Sequence, residues 1–139
     1  MAKSVALVKT AALKSPHDKA VLLAQAVLEK HAEDVFVLDV RKLSTVTDYF
    51  VIATVGSIRQ LKAVHEHLDR VLAVRRERVW HVEAPARAAV SHHEPQWALL
   101  DCGDVVVHLL DARARSFYQL ERLWGDAPRV SVPDAKVHR

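Results

Sequence analysis

The sequence is poor in glycine and cysteine and contains no long hydrophobic run. Its three glycines stand far apart, at positions 56, 103 and 125. This excludes the Gly-x-x-x-x-Gly-Lys and Gly-x-Gly-x-x-Gly phosphate loops, and a Gly-x-Ser-x-Gly nucleophile elbow is absent too. No apolar run is long enough to cross a bilayer, and Lys9 interrupts the short apolar stretch near the N-terminus. The single cysteine, Cys102, cannot form an internal disulfide. We therefore expect a cytoplasmic protein rather than a secreted or membrane one, and we favour an organellar location less.

The chain contains enough apolar material for one compact domain. Of its 139 residues, 50% are hydrophobic and 27% are charged, as in an ordinary globular protein. The net charge of +3 with neutral histidines is compatible with a location near RNA, but it is too small to indicate nucleic-acid binding. We predict a flexible basic arm over residues 1–17, a folded domain over 18–124 and a loosely ordered tail over 125–139.

Hydrophobic periodicity divides the predicted domain into helices and strands. Apolar residues at helical spacing predict helices over 18–31, 57–75 and 112–124. Asp18 suits the start of the first helix, and Ser57-Ile-Arg-Gln60 has the form of a capping box at the start of the second. Short apolar runs predict strands at 35–40, 49–54, 79–82, 97–100 and 105–110, with a hairpin turn at Gly103. The order α-β-β-α-β-β-β-α predicts a single α/β domain with a mixed sheet and flanking helices.

The nine histidines raise the question of a metal site. His65 and His67 lie two positions apart on a predicted helix, so they point in different directions. The pair His92–His93, in a predicted surface loop, could converge with Cys102 and His108 on the hairpin, but none of these residues has the spacing of a zinc site. We therefore predict no metal and no cofactor, and we interpret His108 as a strand residue with one polar neighbour.

Asp101 and Asp104 flank the predicted hairpin turn and form the sharpest pair of carboxylates. As catalysts they would need a group that holds one proton, or a bound metal. A second interpretation is structural, because aspartates beside a tight turn accept hydrogen bonds from backbone N–H groups. On chemistry alone we favour this structural role over catalysis. A third interpretation is an exposed anionic spot that holds an arginine or lysine of a partner.

The aromatic side chains offer a second kind of candidate site. Most of them fit core positions, but Trp97 and Trp124 stand at the edges of predicted elements beside charged residues. Large amphipathic rings in such places often anchor interfaces. For each ring taken alone we favour core packing, and the interface interpretation stays open.

Five blocks of sequence, in order, resemble the Iojap-related ribosomal silencing factors. They are Asp34–Val40, Thr47–Thr54, Ser57–Gln60, the hairpin Trp97-Ala-Leu-Leu-Asp-Cys-Gly-Asp-Val-Val-Val-His108 and the C-terminal signature Arg115-Ser-Phe-Tyr-Gln-Leu-Glu-Arg-Leu-Trp124. The resemblance runs from about residue 19 to residue 124. Three positions depart from the family pattern: Ile58 replaces a polar residue, Ala84 a glycine, and Cys102 a tyrosine or leucine.

The resemblance implies a fold related to nucleotidyltransferases without their catalysis, and no Asp-x-Asp follows Gly56-Ser57 to hold metals. It implies a protein that binds ribosomal protein L-fourteen on the large subunit, beside ribosomal RNA, and sterically blocks the small subunit when nutrients are scarce. It also suggests a homodimer when the protein is free. Carried over by position, the partner-binding candidates are Glu83, Trp97, Asp101, Asp104, Tyr118, Glu121 and Trp124, while Thr47, Asp48 and His108 belong to the motifs but suit structural roles.

Two other functions compete with this interpretation. The first is an RNA-binding accessory factor in ribosome assembly, using a basic set made up of Arg59, Lys62, Arg70, Arg75, Arg76 and Arg78. Such binding would weaken steeply with salt, and these residues lack interleaved aromatics. The second is a divergent nucleotidyltransferase, which would bind nucleotide in the presence of a metal. We expect no metal-dependent nucleotide binding and predict that the protein is not an enzyme, while the RNA-binding accessory factor stays open as the alternative.

Overall fold

The structure, a computed structural model, describes residues 15–83, 96–119, 122 and 124–133. Its elements are helices α1 (Pro16–Glu29), α2 (Ile58–Ala73) and α3 (Ala112–Tyr118), and strands β1 (Glu33–Asp39), β2 (Tyr49–Thr54), β3 (His81–Glu83), β4 (Trp97–Asp101), β5 (Val105–Leu110) and β6 (Arg129–Val130). The predicted α/β domain with a mixed sheet is confirmed. Residues 1–14 of the predicted arm and 134–139 of the predicted tail lie outside the described residues. Within those residues, no helix combines the length and apolar character needed to cross a membrane.

The six strands form one sheet in the order β3-β4-β5-β2-β1-β6. The central strands β2 and β5 run parallel, with Tyr49 opposite Val105 and Thr54 opposite Leu110. All other neighbouring strands are antiparallel. Every residue of β5 is buried. This explains why β5 reads as a continuous apolar run, since a central strand with side chains packed on both faces has no solvated side.

Helix α1 begins two residues before Asp18. Ser15 is its N-cap, and the Ser15 hydroxyl accepts the backbone N–H of Asp18 at 3.2 Å. Pro16 opens the helix, where a missing N–H is tolerated. The prediction that Asp18 starts the helix is therefore wrong, because the serine before the proline supplies the cap one turn earlier. Asp18 still lies in the first turn, where its charge interacts favourably with the helix dipole.

The predicted capping box at the start of α2 is confirmed. The Ser57 hydroxyl accepts the backbone N–H of Gln60 at 3.0 Å. Gln60 Oε1 in turn accepts the backbone N–H of Gly56 at 2.6 Å, one residue further back than in the usual capping box. The same side chain donates through Nε2 to the carbonyl oxygen of Lys30 at 3.0 Å. Gln60 therefore fixes the start of α2 against the end of α1.

Alternation along the strands gives the sheet two different faces. On one, which we call the covered face, α1 and α2 pack their buried aliphatic side chains, such as Leu23 and Leu68, against Val51 and Val107. The other, the open face, has a smaller buried cluster that includes Ile52 and Ala114 of α3. Four half-buried rings pack against this second cluster: Phe36, Phe50, Trp97 and Trp124.

Helix α3 is shorter than predicted. The helix ends at Tyr118, because Gln119 adopts the left-handed conformation with φ of 49° and ψ of 55°. The apolar spacing that continues to Trp124 predicted one unbroken helix to that residue, but Gln119 interrupts it, Arg122 is again helical and Trp124 itself lies in a turn. Arg115 anchors α3 to the sheet through hydrogen bonds from Nη1 to Thr54 Oγ1 at 2.7 Å and from Nη2 to the carbonyl oxygen of Asp34 at 2.9 Å.

A sixth strand lies in the segment that was predicted as a loosely ordered tail. Val130 pairs with Val37 and Arg129 with Leu38, which adds β6 antiparallel to the outer side of β1. The backbone N–H of Asp39 also donates to the carbonyl oxygen of Pro128 at 2.8 Å. This part of 125–139 is therefore paired with the sheet. A two-residue strand is too short to produce an alternation that sequence analysis could detect.

Candidate partner-binding site

The open face carries a continuous row of four rings, which we call the aromatic row: Trp97, His108, Phe50 and Trp124. Trp97 lies on β4, His108 on β5 and Phe50 on β2. The ring centres of Trp97 and His108 lie 5.7 Å apart, those of His108 and Phe50 4.6 Å, and those of Phe50 and Trp124 5.1 Å. The last two pairs are edge-to-face, which is a favourable geometry for aromatic rings. The row thus joins strands that are far apart in sequence into one surface.

His108 occupies the centre of this row as a neutral imidazole. The indole N–H of Trp97 donates to His108 Nδ1 at 3.1 Å, so the ring proton must lie on Nε2. Burial lowers the pKa of His108 to about 4. Nε2 is buried without a hydrogen-bond partner among the described residues. The prediction that His108 is a strand residue with one polar neighbour is confirmed, and that neighbour is Trp97.

Two acidic side chains lie along the edge of the same face. Glu83 ends the edge strand β3 directly opposite Leu99, and Asp101 ends β4 directly opposite His81. Side chains directly opposite in a sheet share a face, and Trp97, Leu99 and Asp101 alternate onto the open face along β4. Glu83 is exposed and Asp101 half-buried. The open face therefore combines half-buried rings with carboxylates at its edge.

The structure separates the roles of Asp101 and Asp104. Asp101 Oδ1 accepts the backbone N–H of Gly103 at 2.8 Å, the turn role expected of an aspartate there. Gly103 itself has a φ of +91°, which suits glycine. Asp104 instead pairs with the Lys19 ammonium of α1, with 3.0 Å between Oδ1 and Nζ. Each carboxylate thus has its own intramolecular partner, and Asp104 is directed toward α1.

Lys19 is a buried cation beneath the hairpin tip. Its side chain is 6% exposed, and Nζ lies 2.5 Å from Glu77 Oε1 and donates to the carbonyl oxygen of Cys102 at 2.5 Å. Burial lowers the pKa of Lys19, but the hydrogen bonds and charges of Glu77 and Asp104 outweigh burial, and the pKa is raised above 10.5. Sequence analysis missed this residue. Its signal was the spacing Lys19, Leu23, Val27, which puts a lysine on the apolar stripe of α1.

The remaining residues singled out in the sequence either fall outside the described part of the molecule or support the hairpin. The Tyr118 side chain and all of Glu121 lie outside the described part of the molecule. Thr47 Oγ1 donates to the carbonyl oxygen of Gly103 at 3.4 Å, which places Thr47 in the support of the hairpin. Asp48 has a similar place, because its backbone N–H donates to the carbonyl oxygen of Asp104 at 3.0 Å.

The four residues considered for a metal site do not all share one surface. Cys102 belongs to the buried core of the covered face, whereas His108 lies in the aromatic row on the open face. Burial raises the pKa of the Cys102 thiol to about 12, so this cysteine remains a thiol at neutral pH. The pair His92–His93 lies outside the described residues. Within those residues, no group of three or more His, Cys, Asp or Glu side chains could hold a metal.

Sequence reasoning also missed Phe50 as a functional candidate. It was assigned to the core with Tyr49, yet adjacent strand residues point to opposite faces. Tyr49 enters the buried core of the covered face, while Phe50 links His108 to Trp124 on the open face. The alternation rule applied to this pair was the signal that could have identified it.

The fold and the open face together define a class: a small single-domain α/β protein whose mixed sheet is covered by α1 and α2 on one face and carries rings beside α3 on the other. Within that class, residues 13–139 match the family model described as "Ribosomal silencing factor during starvation", and the chain belongs to this family. The resemblance seen in the sequence blocks is confirmed.

Individual relatives agree with the family match. The chain is 37% identical over 111 residues to ribosomal silencing factor RsfS of Bacillus subtilis, covering 80% of this chain and 88% of the relative. It is 35% identical over 114 residues to the chloroplastic protein Iojap of Zea mays, covering 82% of this chain and 46% of that protein.

Solved structures show the same fold. A crystal structure of a Bacillus halodurans protein superposes with a TM-score of 0.60 at 34% identity, over 78% of this chain and 93% of that one. An X-ray structure of a Chromobacterium violaceum protein gives a TM-score of 0.58 at 30% identity, over 82% and 89% respectively.

Proposed function

We propose that this protein binds the large ribosomal subunit through ribosomal protein L-fourteen and blocks association with the small subunit. Because the bound protein occupies the surface of the large subunit, it represses translation when nutrients are limiting. The mechanism is steric, and it requires neither a cofactor nor catalysis. Family membership supports the silencing role, since relatives at 34% and 37% identity are named ribosomal silencing factors.

The aromatic row is the observation that carries the proposed interface. Three of its rings are only half-buried, although they are large and lie on a well-packed sheet. Large rings that are only partly buried are typical anchors of protein interfaces, because they bury much area at a small entropic cost. The row includes Trp97 and Trp124, two of the candidates carried over from the family. We propose that the open face meets the partner.

The acidic edge supports a basic partner. Ribosomal proteins bind RNA and are generally basic, so carboxylates beside the anchors supply electrostatic complementarity despite the positive net charge of the chain. Glu83 is the better placed of the two acids, because it is exposed. Its described contact is an exposed one, with Glu83 Oε2 3.3 Å from His81 Nε2. Asp101 contributes charge while it also holds the turn. Asp104 is the weaker candidate, since Lys19 already pairs with it.

The test is sedimentation of the purified protein with separated ribosomal subunits through a sucrose gradient. We expect it to migrate with the large subunit alone and to reduce the amount of rejoined ribosomes. Migration with the small subunit, or with neither, would falsify the proposal. Sedimentation equilibrium of the free protein tests the homodimer in parallel.

Charge reversal at one position locates the interface. Glu83→Lys should weaken binding to the large subunit by about tenfold or more, because like charges then meet across the interface. The matched control is Glu66→Lys on α2, which makes the same charge change at an exposed position on the covered side. If the two variants bind equally well, the interface is not on the open face, even if silencing itself persists.

Asp101→Asn separates the turn role from the partner role. Asparagine keeps a side-chain oxygen for the Gly103 N–H but removes the charge. We expect unchanged thermal stability and a severalfold loss of binding to the large subunit. A loss of stability without a loss of binding would assign Asp101 to the turn alone.

An RNA-binding accessory function in ribosome assembly remains the alternative. It predicts that the protein associates with precursor particles and leaves the joining of mature subunits unaffected. Of its six proposed basic residues, Arg59 and Lys62 lie in the first turns of α2, whereas Arg75, Arg76 and Arg78 lie at or just after its other end. That spread gives no single cationic surface along the helix.

A further inference from the structure

A concave site lies away from the aromatic row, between the turn that follows α2 and the tip of the β4–β5 hairpin. Its volume is about 570 Å³, within the range of small-ligand sites. Its lining comes from three parts of the chain: Lys19 of α1, residues between Arg76 and Trp80, and the hairpin tip from Cys102 to Asp104. We call it the Trp80 cleft.

Trp80 is the most conspicuous side chain of this cleft. It is 68% exposed, although an indole of this size is normally a core or interface residue. Its backbone is fixed, because its N–H donates to the carbonyl oxygen of Asp101 at 2.7 Å. The guanidinium carbon of Arg78 lies 5.9 Å from the ring centre. A rigid backbone therefore presents a large flat ring to solvent beside a cation.

Arg76 has an unusual backbone conformation for its residue type. Its φ is +60°, in the left-handed region that glycine normally occupies after a helix. Hydrogen bonds from the N–H of Arg76 to the carbonyl oxygen of Ala73 and from the N–H of Glu77 to that of Leu72 complete the helix end. Glycine would serve this end better than arginine. The same conformation occurs at non-glycine residues after the other two helices, so what distinguishes Arg76 is that it lines the cleft.

The two carboxylates of the cleft are already engaged by Lys19. Its Nζ lies 2.5 Å from Glu77 Oε1 and 3.0 Å from Asp104 Oδ1. Arg76 and Arg78 are both exposed, and neither forms an ion pair in the described part of the chain. Glu77 and Asp104 therefore pair with Lys19 rather than with the two arginines. The guanidinium groups of Arg76 and Arg78 remain as two cations beside the exposed indole of Trp80.

We propose that the Trp80 cleft binds one unpaired nucleotide of single-stranded RNA, with its base stacked on Trp80 and its phosphate held by Arg76 and Arg78. Aromatic platforms beside arginines are the usual means of binding unpaired bases. In the structure, Trp80 supplies beside Arg76 and Arg78 the aromatic ring that sequence analysis did not find among the basic residues. Ribosomal RNA of the large subunit is the source of this nucleotide only within the proposed function, on which that assignment rests.

An acidic peptide is the competing occupant. It would use the two arginines, but it would leave the exposed face of Trp80 without a specific partner. A nucleotide uses both features, because a base stacks on the indole while its phosphate contacts the guanidinium groups. Substitution of Trp80 therefore distinguishes binding of a nucleotide from binding of an acidic peptide.

The test uses the full chain and a fluorescently labelled single-stranded RNA of about a dozen nucleotides, with binding followed by anisotropy at low salt and in a salt titration. Trp80→Ala should weaken binding by about tenfold, the usual value of one stacked base, whereas Trp80→Phe should retain most of it. Arg76→Gly should weaken binding severalfold and flatten the salt dependence. Its melting temperature should stay equal or rise, so misfolding cannot explain the loss.

Arg59→Ala is the matched control, because it removes one exposed arginine from the first turn of α2, away from the cleft. An equal loss in Arg59→Ala and Arg76→Gly would indicate diffuse charge attraction and overturn the cleft. Undiminished binding by Trp80→Ala, or no binding by the wild type, would do the same. Displacement of the RNA by a polyglutamate peptide at equal concentration would assign the cleft to an acidic protein partner. Subunit joining is measured separately, so these failures leave the proposed function intact.

Discussion

The covered face of the sheet is filled mainly by aliphatic side chains, whereas the open face carries the four-ring aromatic row with the neutral His108 at its centre. The strands are the same, and only the alternation of residues differs between the two faces. On the covered face, Leu23, Leu68 and Val107 are fully buried. On the open face, Phe50, Trp97 and Trp124 remain half-exposed. The difference teaches that alternate positions of one set of strands build both a closed aliphatic core and a face with half-buried rings, which is the face that we propose for recognition.

The largest expected effect on stability lies on the covered face. Leu68→Ala removes a fully buried side chain of α2 and should lower the free energy of unfolding by about 3 to 4 kcal/mol, because it leaves a cavity. Leu99→Ala, at a half-buried position of the open face, should cost about 1 kcal/mol. Urea unfolding of both variants makes the comparison, and equal losses would contradict the division of roles.

Acid should destabilise the open face through His108. In the folded protein its pKa is lowered from 6.5 to about 4 by burial, so between these values the unfolded chain binds a proton that the folded chain does not. Stability is therefore complete above pH 6.5 and falls as the pH approaches 4, by at most about 3 kcal/mol. The free energy of unfolding, measured from pH 7 to 4, checks this. His108→Gln keeps an acceptor for Trp97 but cannot be protonated in this range. Its free energy of unfolding should therefore lack this part of the dependence on pH.

Lys19 links the covered side to the hairpin tip, and its removal should have an intermediate effect. Lys19→Met leaves Glu77 and Asp104 without their cation and should cost about 2 kcal/mol, since both carboxylates keep some contact with water. Because the pKa of Lys19 is raised, the wild-type advantage is complete below pH 10.5 and is lost as the pH rises through the raised pKa. Lys62→Met, at an exposed position of α2, is the control and should change stability little.

The smallest effect on stability should come from Trp97, a ring of the proposed interface. Trp97→Phe keeps a ring but removes the N–H that His108 accepts, so it should cost about 1 kcal/mol. Its binding to the large subunit should fall by more than this loss of stability suggests. Thermal unfolding and sedimentation measure the two quantities. If the stability loss exceeds the binding loss, Trp97 is a core residue and the comparison of faces fails.

Much of the fold could be predicted because its signals are local. The stripe from Leu61 to Leu72 and the run Val105–Leu110 each form the element that their spacing predicts. The short strand β6 and the early end of α3 could not be predicted, because they depend on pairing with β1 and on a left-handed Gln119. Local periodicity contains neither kind of information.

The site was less accessible to prediction than the fold. Family blocks gave Trp97, Asp101 and Trp124 as candidates, but they gave no means to distinguish the contacts of Asp101 from those of Asp104. The difference between the two aspartates depends on Lys19, which pairs with Asp104 and lies more than eighty positions earlier in the chain. The aromatic row likewise joins three strands, so no single block reveals it. Long-range contacts decide which motif residues remain available to a partner.

The parallel pairing of β2 with β5 has a consequence for how the chain reaches its structure. Among the described strands it is the pairing that joins β6, β1 and β2 to β5, β4 and β3. The chain must therefore close the loop between Thr54 and Val105 before the two halves of the sheet form one unit. Such distant pairing slows folding and prolongs the exposure of unpaired strand edges. During synthesis, the first half of this protein must wait for β5, a strand made in the last third of the chain, before its sheet can close.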